Sequence, residues 1–215
     1  MLGKTGAGKS AAGNTILRKI TFEQKDSFES VSKKCLQYEQ MVEGRSILVI
    51  DTPGLFDTSL SEKELQKEIV SCVEMSVPGP HVFLLVIRLD VGLIDEEKKA
   101  VEWIQENFGE KAANYTMVLF TRGDQIDSPI EKFLTENKQI EELVRKCKGR
   151  YHVFNNKDKE NKSQVTELLE KIDKMMMENG GKYYTNEVDE ETELSIEILV
   201  CVYVKKNQDE GKCFV

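Results

Sequence analysis

The sequence predicts an α/β fold in which helices cover both faces of a doubly wound, mostly parallel sheet, making three layers. Three observations carry that expectation. Short apolar runs rich in branched and aromatic residues stand at 47–50, 82–87 and 116–120, the continuous pattern of strands buried on both faces. Helical patterns fill the intervals between them. Near the start lies a glycine-rich segment, Gly3-Lys4-Thr5-Gly6-Ala7-Gly8-Lys9-Ser10, which runs directly into helical residues. That is the arrangement of a phosphate-binding P-loop.

Taken in order, residues 9–18 form the helix after the loop. Residues 35–42 alternate in polarity and meet 45–50 across Glu43-Gly44, which predicts an antiparallel edge hairpin. Ser61-Glu62-Lys63-Glu64 has the capping-box form that opens a helix. A helix over 95–108 is stopped by Gly109, and another over 129–147 carries Pro129 in its first turn. Residues 150–154 supply the last strand. In the final helix Val165, Leu168, Leu169, Ile172, Met175 and Met176 share one face and predict core packing. Gly180-Gly181 breaks it. We expect one domain over 1–180 and a tail over 181–215 that is first acidic, then apolar.

A chain of 215 residues suits one such domain. The net charge of −8 argues against binding nucleic acid, which needs a basic face. Cys35, Cys72, Cys147, Cys201 and Cys213 lie far apart, without a Cys-x-x-Cys pair or clustered histidine. Neither a zinc site nor a disulfide framework is expected, and a cytoplasmic location fits best. No run reaches the ~18 apolar residues of a spanning helix. His81 and His152 each adjoin a strand, where packing roles are expected.

Three motifs carry chemistry. In the P-loop, glycines let backbone N–H groups wrap phosphates, Lys9 faces the outer phosphates, and Ser10 offers a hydroxyl to Mg²⁺. After the 47–50 strand comes Asp51-Thr52-Pro53-Gly54. There Asp51 serves the metal and its water, and Gly54 N–H approaches a γ-phosphate. After the 116–120 strand comes Thr121-Arg122-Gly123-Asp124. Asp124 can accept two hydrogen bonds from the N1–H and exocyclic amine of guanine; adenine lacks that donor pair. Asn155 and Asn156, following Phe154, could close over the base with a side-chain amide.

These residues resemble the GIMAP family of immunity-associated GTPases over roughly residues 1–178. The likeness rests on Gly3 to Ser10 continuing into Ala11-Ala12-Gly13-Asn14-Thr15-Ile16-Leu17, and on Asp51-Thr52-Pro53-Gly54-Leu55-Phe56-Asp57. It also rests on Ser76-Val77-Pro78-Gly79-Pro80-His81-Val82-Phe83-Leu84-Leu85-Val86. The resemblance implies a G-domain fold, GTP and GDP as ligands, Mg²⁺, and GTP-dependent self-association through the nucleotide face. It further implies peripheral association with the cytosolic side of intracellular membranes. The nucleotide-binding set is then Gly3, Lys4, Thr5, Gly6, Ala7, Gly8, Lys9, Ser10, Ala11, Gln24, Ser32, Gly54, Thr121, Arg122, Asp124, Asn155 and Asn156, with Ser10, Ser32 and Asp51 at the metal.

The sequence departs from that pattern in three places. Only Met1 and Leu2 precede Gly3, where the family has a hydrophobic strand of about five residues. The expectation is a truncated product whose neighbouring strands lose backbone partners, at ~1–3 kcal/mol for each unpaired buried group. Leu55 stands where small GTPases of the Ras type place a water-orienting glutamine, and Gly92 stands where the family commonly has arginine. An arginine finger is worth ~10³–10⁵ in rate, so hydrolysis is expected to be very slow unless Arg88 or Arg122 substitutes. Ser32 replaces the switch threonine, and Gln24 replaces a serine. The resulting expectation is a guanine-nucleotide switch with slow turnover. A non-hydrolysing GTP-binding scaffold and a P-loop nucleotide phosphotransferase are the alternatives.

Overall fold

The computed structural model describes residues 1–22, 35–55, 60–76, 79–91, 97 and 99–185, with the backbone of Val202–Lys205. Gln24, Ser32 and Gly92 lie outside the described residues. Element order is α1 (Lys9–Ile16), β1 (Leu36–Val42), β2 (Arg45–Asp51), α2 (Glu62–Glu74), β3 (Phe83–Arg88), α3 (Ala100–Phe108), β4 (Thr116–Thr121), α4 (Ile130–Glu136), α5 (Lys138–Lys146), β5 (Tyr151–Val153), α6 (Ser163–Glu178) and β6 (Val202–Lys205).

Strand β4 lies between β3 and β5, parallel to both, with Arg88 opposite Thr121 and Phe120 opposite Val153. Alternation along these strands divides the core in two. Phe83, Leu85, Ile87, Val118 and Phe120 pack with Ile69 of α2, Ile104 of α3 and Leu143 of α5. Leu84, Val86, Met117 and Leu119 pack on the other face with Ile16 of α1 and with Val165, Leu168 and Ile172 of α6. A strand's period of two thus feeds two helical layers, and the expected three-layer fold follows.

The expected hairpin is present, with β1 and β2 antiparallel in a register from Leu36–Asp51 to Val42–Arg45. Glu43 and Gly44, at φ 53° and 75°, make the two-residue turn that suits strand twist. The capping box also forms: Glu64 N–H donates to Ser61 Oγ at 3.3 Å, and Ser61 N–H donates to Glu64 Oε2 at 2.8 Å.

Three expectations are corrected. The helix over 129–147 is two helices, because Asn137 donates its side-chain amide to the Phe133 carbonyl at 2.7 Å and leaves helical geometry. Among the described residues strand pairing forms two three-stranded groups, β1-β2-β6 and β3-β4-β5, which divide where only Met1 and Leu2 precede the P-loop, as the sequence leads one to expect. The edges of β2 and β3 beside Met1 and Leu2 nevertheless keep partners. Leu2 N–H donates to Leu84 O, Val86 N–H donates to Leu2 O, and β6 pairs antiparallel with β2 from Ser46–Lys205 to Val49–Val202. Last, Cys35 and Cys72 are brought together as a disulfide, Cα atoms 5.5 Å apart, although 37 residues separate them in sequence.

Packing continues past the boundary expected at 180. Tyr184 is buried among Phe83, Phe108 and Tyr115, its hydroxyl bonded to the Phe108 carbonyl and its N–H to Pro80 O. Met176, expected at the core face of α6, packs at its margin. Among the described residues no helix is long and apolar enough to cross a membrane.

Both histidines are packing residues. His81 meets Tyr183 edge-on, and buried His152 donates Nε2–H to the Gln164 carbonyl at 2.7 Å. Burial, reinforced by the Lys171 charge, pushes the His152 pKa down from 6.5 to about 4. The unfolded chain therefore binds the proton more tightly, and stability is lost as pH falls between those values. Replacing His152 with asparagine should flatten that slope, removing up to ~3 kcal/mol of acid sensitivity in urea titrations at pH 7 and pH 4. Tyr184→Ala should lower stability by ~3 kcal/mol at pH 7, measured by the same titration.

Candidate functional site

The candidate site lies at the carboxyl ends of β2 and β4, where open α/β sheets present ligands. The P-loop is delivered there by Met1 and Leu2. The Met1 amine donates to Ile50 O at 2.6 Å, and Leu55 N–H donates back to Gly3 O at 2.9 Å. Gly3 cannot be replaced without strain: at φ 146°, a Cβ would strike the Val86 carbonyl oxygen. A Cβ on Gly54 would likewise strike Thr5, so the loop after Asp51 packs directly on the P-loop.

Within the loop, Lys9 folds back and donates from Nζ to Gly3 O at 3.0 Å and Lys4 O at 3.1 Å. Ala7 N–H donates to Lys4 O, and Gly8 stands as the left-handed residue at the start of α1. Ser10 Oγ donates to Asp51 Oδ2 at 2.6 Å. Asp51 is almost fully buried, and its other oxygen, Oδ1, has no partner among the described residues. Burial pushes its carboxyl above the ordinary range, opposed by the Lys9 charge and the Ser10 hydroxyl. An unpartnered carboxylate oxygen beside a serine hydroxyl is a donor set suited to a hard divalent cation.

Thr121 joins the two halves of the site. Its Oγ1 donates to the Ala7 carbonyl at 2.8 Å, so the end of β4 carries the P-loop rather than pointing at solvent. Arg122 follows in left-handed geometry at φ 60°. Asp124, three residues beyond Thr121, accepts from Lys157 Nζ at 2.7 Å and from Gln125 Nε2 at 2.6 Å. The Lys157 hydrogen bond chiefly holds its carboxyl below the ordinary range.

Asn155 and Asn156 behave differently from each other. Asn155 Oδ1 accepts from Lys157 N–H, fixing the turn that carries Lys157, whereas Asn156 Oδ1 accepts from Thr15 Oγ1 on α1 at 2.8 Å. Neither candidate arginine substitute extends freely. Arg88 forms a two-pronged pair with Asp90 at 2.8 and 2.7 Å, and Arg122 Nε lies 3.3 Å from the same carboxylate. Leu55 is buried and cannot direct a water.

Two positioning residues escaped the sequence reading. Buried Asn14 accepts at Oδ1 from Thr21 N–H and Phe22 N–H, both at 2.8 Å, and donates from Nδ2 to Phe22 O. It thereby fixes how the chain leaves α1 toward residues 23–34. Gln164 Oε1 accepts from Asn155 N–H, and its Nε2 donates to Asn155 O and Asp158 O. The available signal was a polar residue on the apolar side of a helix.

Comparison with known proteins gives a consistent result. The AIG1 family model matches residues 1–200. GTPase IMAP family member 8 of Homo sapiens is 37% identical over 190 residues, covering 86% of this chain and 28% of that protein. Immune-associated nucleotide-binding protein 8 of Arabidopsis thaliana is 36% identical over 197 residues, covering 87% of this chain and 56% of that protein. The chain therefore spans only part of the length of these relatives. Among solved structures, Toc33 from Arabidopsis thaliana in complex with GDP and Mg²⁺ superposes with a TM-score of 0.63 at 21% identity, covering 82% of each chain. Era in complex with MgGDPNP and ribosomal RNA superposes at 0.58 with 19% identity, over 81% of this chain and 54% of that one. These likenesses establish the fold.

Thr121→Val keeps the strand-end shape but leaves the buried Ala7 carbonyl unpaired. It should cost ~1–3 kcal/mol in the midpoint of urea unfolding, whereas an exposed control such as Lys132→Ala should cost almost nothing.

Proposed function

Because the chain belongs to the AIG1 family, we propose that it is a guanine-nucleotide switch that binds GTP and GDP with Mg²⁺ and hydrolyses GTP slowly. The observation that carries this reading is the buried Asp51 carboxylate, bonded to Ser10 through one oxygen and unpartnered at the other. A carboxylate so placed is costly in isolation and becomes favourable beside a cation.

In this reading Gly3 to Ser10, with Ala11 behind them, cradle the phosphates, and Gly54 N–H meets the γ-phosphate. Mg²⁺ held by Ser10 and Asp51 would neutralise charge between the outer phosphates. Thr121 keeps the phosphate loop and the base site at a fixed separation. Asp124 selects guanine once Lys157 moves aside, Arg122 packs nearby, and Asn155 and Asn156 support the loop above the base. GTP binding would expose a surface for a second copy of the chain, the assembly taking place in the cytoplasm.

Slow turnover is supported by buried Leu55 and by the engagement of Arg88 and Arg122 with Asp90. The same observations favour a second reading, a scaffold that binds GTP without consuming it. Single-turnover assays with protein in excess separate the two. GTP left intact after many hours removes the enzyme assignment.

The binding assignment is tested by titrating GTP, GDP and ATP with and without Mg²⁺. Guanine nucleotides should bind preferentially. Asp124→Ala should weaken them at least ~100-fold, since it removes two hydrogen bonds to a charged acceptor worth ~1.5–3 kcal/mol each. Unchanged affinity, or equal binding of ATP, would remove the guanine assignment.

A further inference from the structure

We propose that Cys35 and Cys72 form a reversible thiol–disulfide modification site that ties helix α2 to the entrance of β1, with a low-molecular-weight disulfide of the glutathione type as oxidant. Their Cα atoms are 5.5 Å apart, in the middle of the range a disulfide spans without backbone movement. The reduced pair is accommodated as well, because Cys35 Sγ lies 3.3 Å from the Glu68 carbonyl oxygen, which can accept a thiol hydrogen. Two sulfurs brought together without further ligating side chains beside them among the described residues form the arrangement of a two-thiol redox couple.

Accessibility sets the order of events. Cys35 is partly exposed, whereas Cys72 is fully buried against it. The Cys35 thiolate attacks one sulfur of R–S–S–R, forming a Cys35–S–S–R mixed disulfide and expelling RS⁻. The Cys72 thiolate then attacks the Cys35 sulfur and expels the second RS⁻. Two protein thiols lose two electrons and two protons, and R–S–S–R becomes two RSH. Cys147 is the internal comparator: it is buried, and burial pushes its thiol up to about 12, so it stays unreactive in the folded chain.

The placement gives the bond a consequence. Cys35 stands three residues after Ser32, and the next residue, Leu36, pairs with Asp51 in the hairpin register. Cys72 lies on the helix that follows the Asp51 to Leu55 segment. The bond therefore encloses β1, β2, Asp51 and Gly54 in one covalent loop. This step rests on the switch function proposed above: a closed loop restrains the segment after Asp51, anchors the chain where it enters β1, and slows nucleotide release.

The test equilibrates the full chain in glutathione buffers of graded ratio, quenches with an alkylating reagent and maps the peptides. Cys35 and Cys72 should become linked as the buffer grows more oxidising and revert on reduction, separately from Cys201 and Cys213. Labelling of Cys35 that ignores the buffer, or a mixed disulfide that never passes to Cys72, overturns the site. Fluorescent GDP release should then be slower from the oxidised chain by about fivefold or more, the lower end of ordinary coupling between sites. Cys35→Ser and Cys72→Ser should each abolish that dependence. Equal release rates overturn the coupling while the peptide map still decides the site. Failure of both forms to bind GDP overturns the coupling together with the nucleotide reading.

Discussion

Four backbone hydrogen bonds around the first three residues hold the molecule together. Met1 reaches Ile50 on one half of the sheet, Leu2 bonds to Leu84 and Val86 on the other, and Gly3 accepts from Leu55. Nothing else in the described sheet joins β2 to β3 by strand pairing. Because buried backbone groups must find partners, this short stretch has only one place to sit. From there the P-loop emerges with Asp51 to one side and Thr121 to the other. The placement of the P-loop beside Asp51 follows from that threading.

The second constraint is electrostatic. A fully buried carboxylate normally demands two or more donors, yet Asp51 has one hydroxyl and the nearby Lys9 charge. Lys9 itself is turned onto the carbonyls of Gly3 and Lys4, the rim of its own loop. The P-loop and Asp51 are thus held together in advance, with their charges at partial compensation. Preorganisation of this kind spares a ligand the cost of ordering the groups that receive it.

Much of this was legible from residues alone. The alternation of apolar runs and helical stretches predicted the layers because buried parallel strands and amphipathic helices differ in period. Glu43-Gly44 and the Ser61–Glu64 box were readable because turns and caps are local chemistry. The break at Asn137 was not, since a polar residue mid-helix discloses only its side chain's existence, never which carbonyl it will choose. The contact of Cys35 with Cys72 depends on how α2 docks beside the hairpin, a tertiary fact with no local signature. In the site, the residue types at the phosphate loop and at Asp51 were readable, whereas the roles of Asn14, Gln164 and Lys157 emerge only once distant segments meet. Thr121, read as a nucleotide contact, bonds through its hydroxyl to the loop that would hold the nucleotide.

The pair between Lys157 and Asp124 has a consequence for selectivity. If Asp124 reads the purine as proposed, an ammonium tethered on the same chain is a rival that dilution never removes, and it raises the apparent dissociation constant by a factor that ionic strength sets. The pair is exposed on the lysine side and is weakened by mobile ions. On that proposal ionic strength would pull the two ends of a nucleotide in opposite directions: it would loosen the grip on the triphosphate while disarming the rival at the purine. Discrimination between bases would then sharpen under the conditions in which total affinity declines.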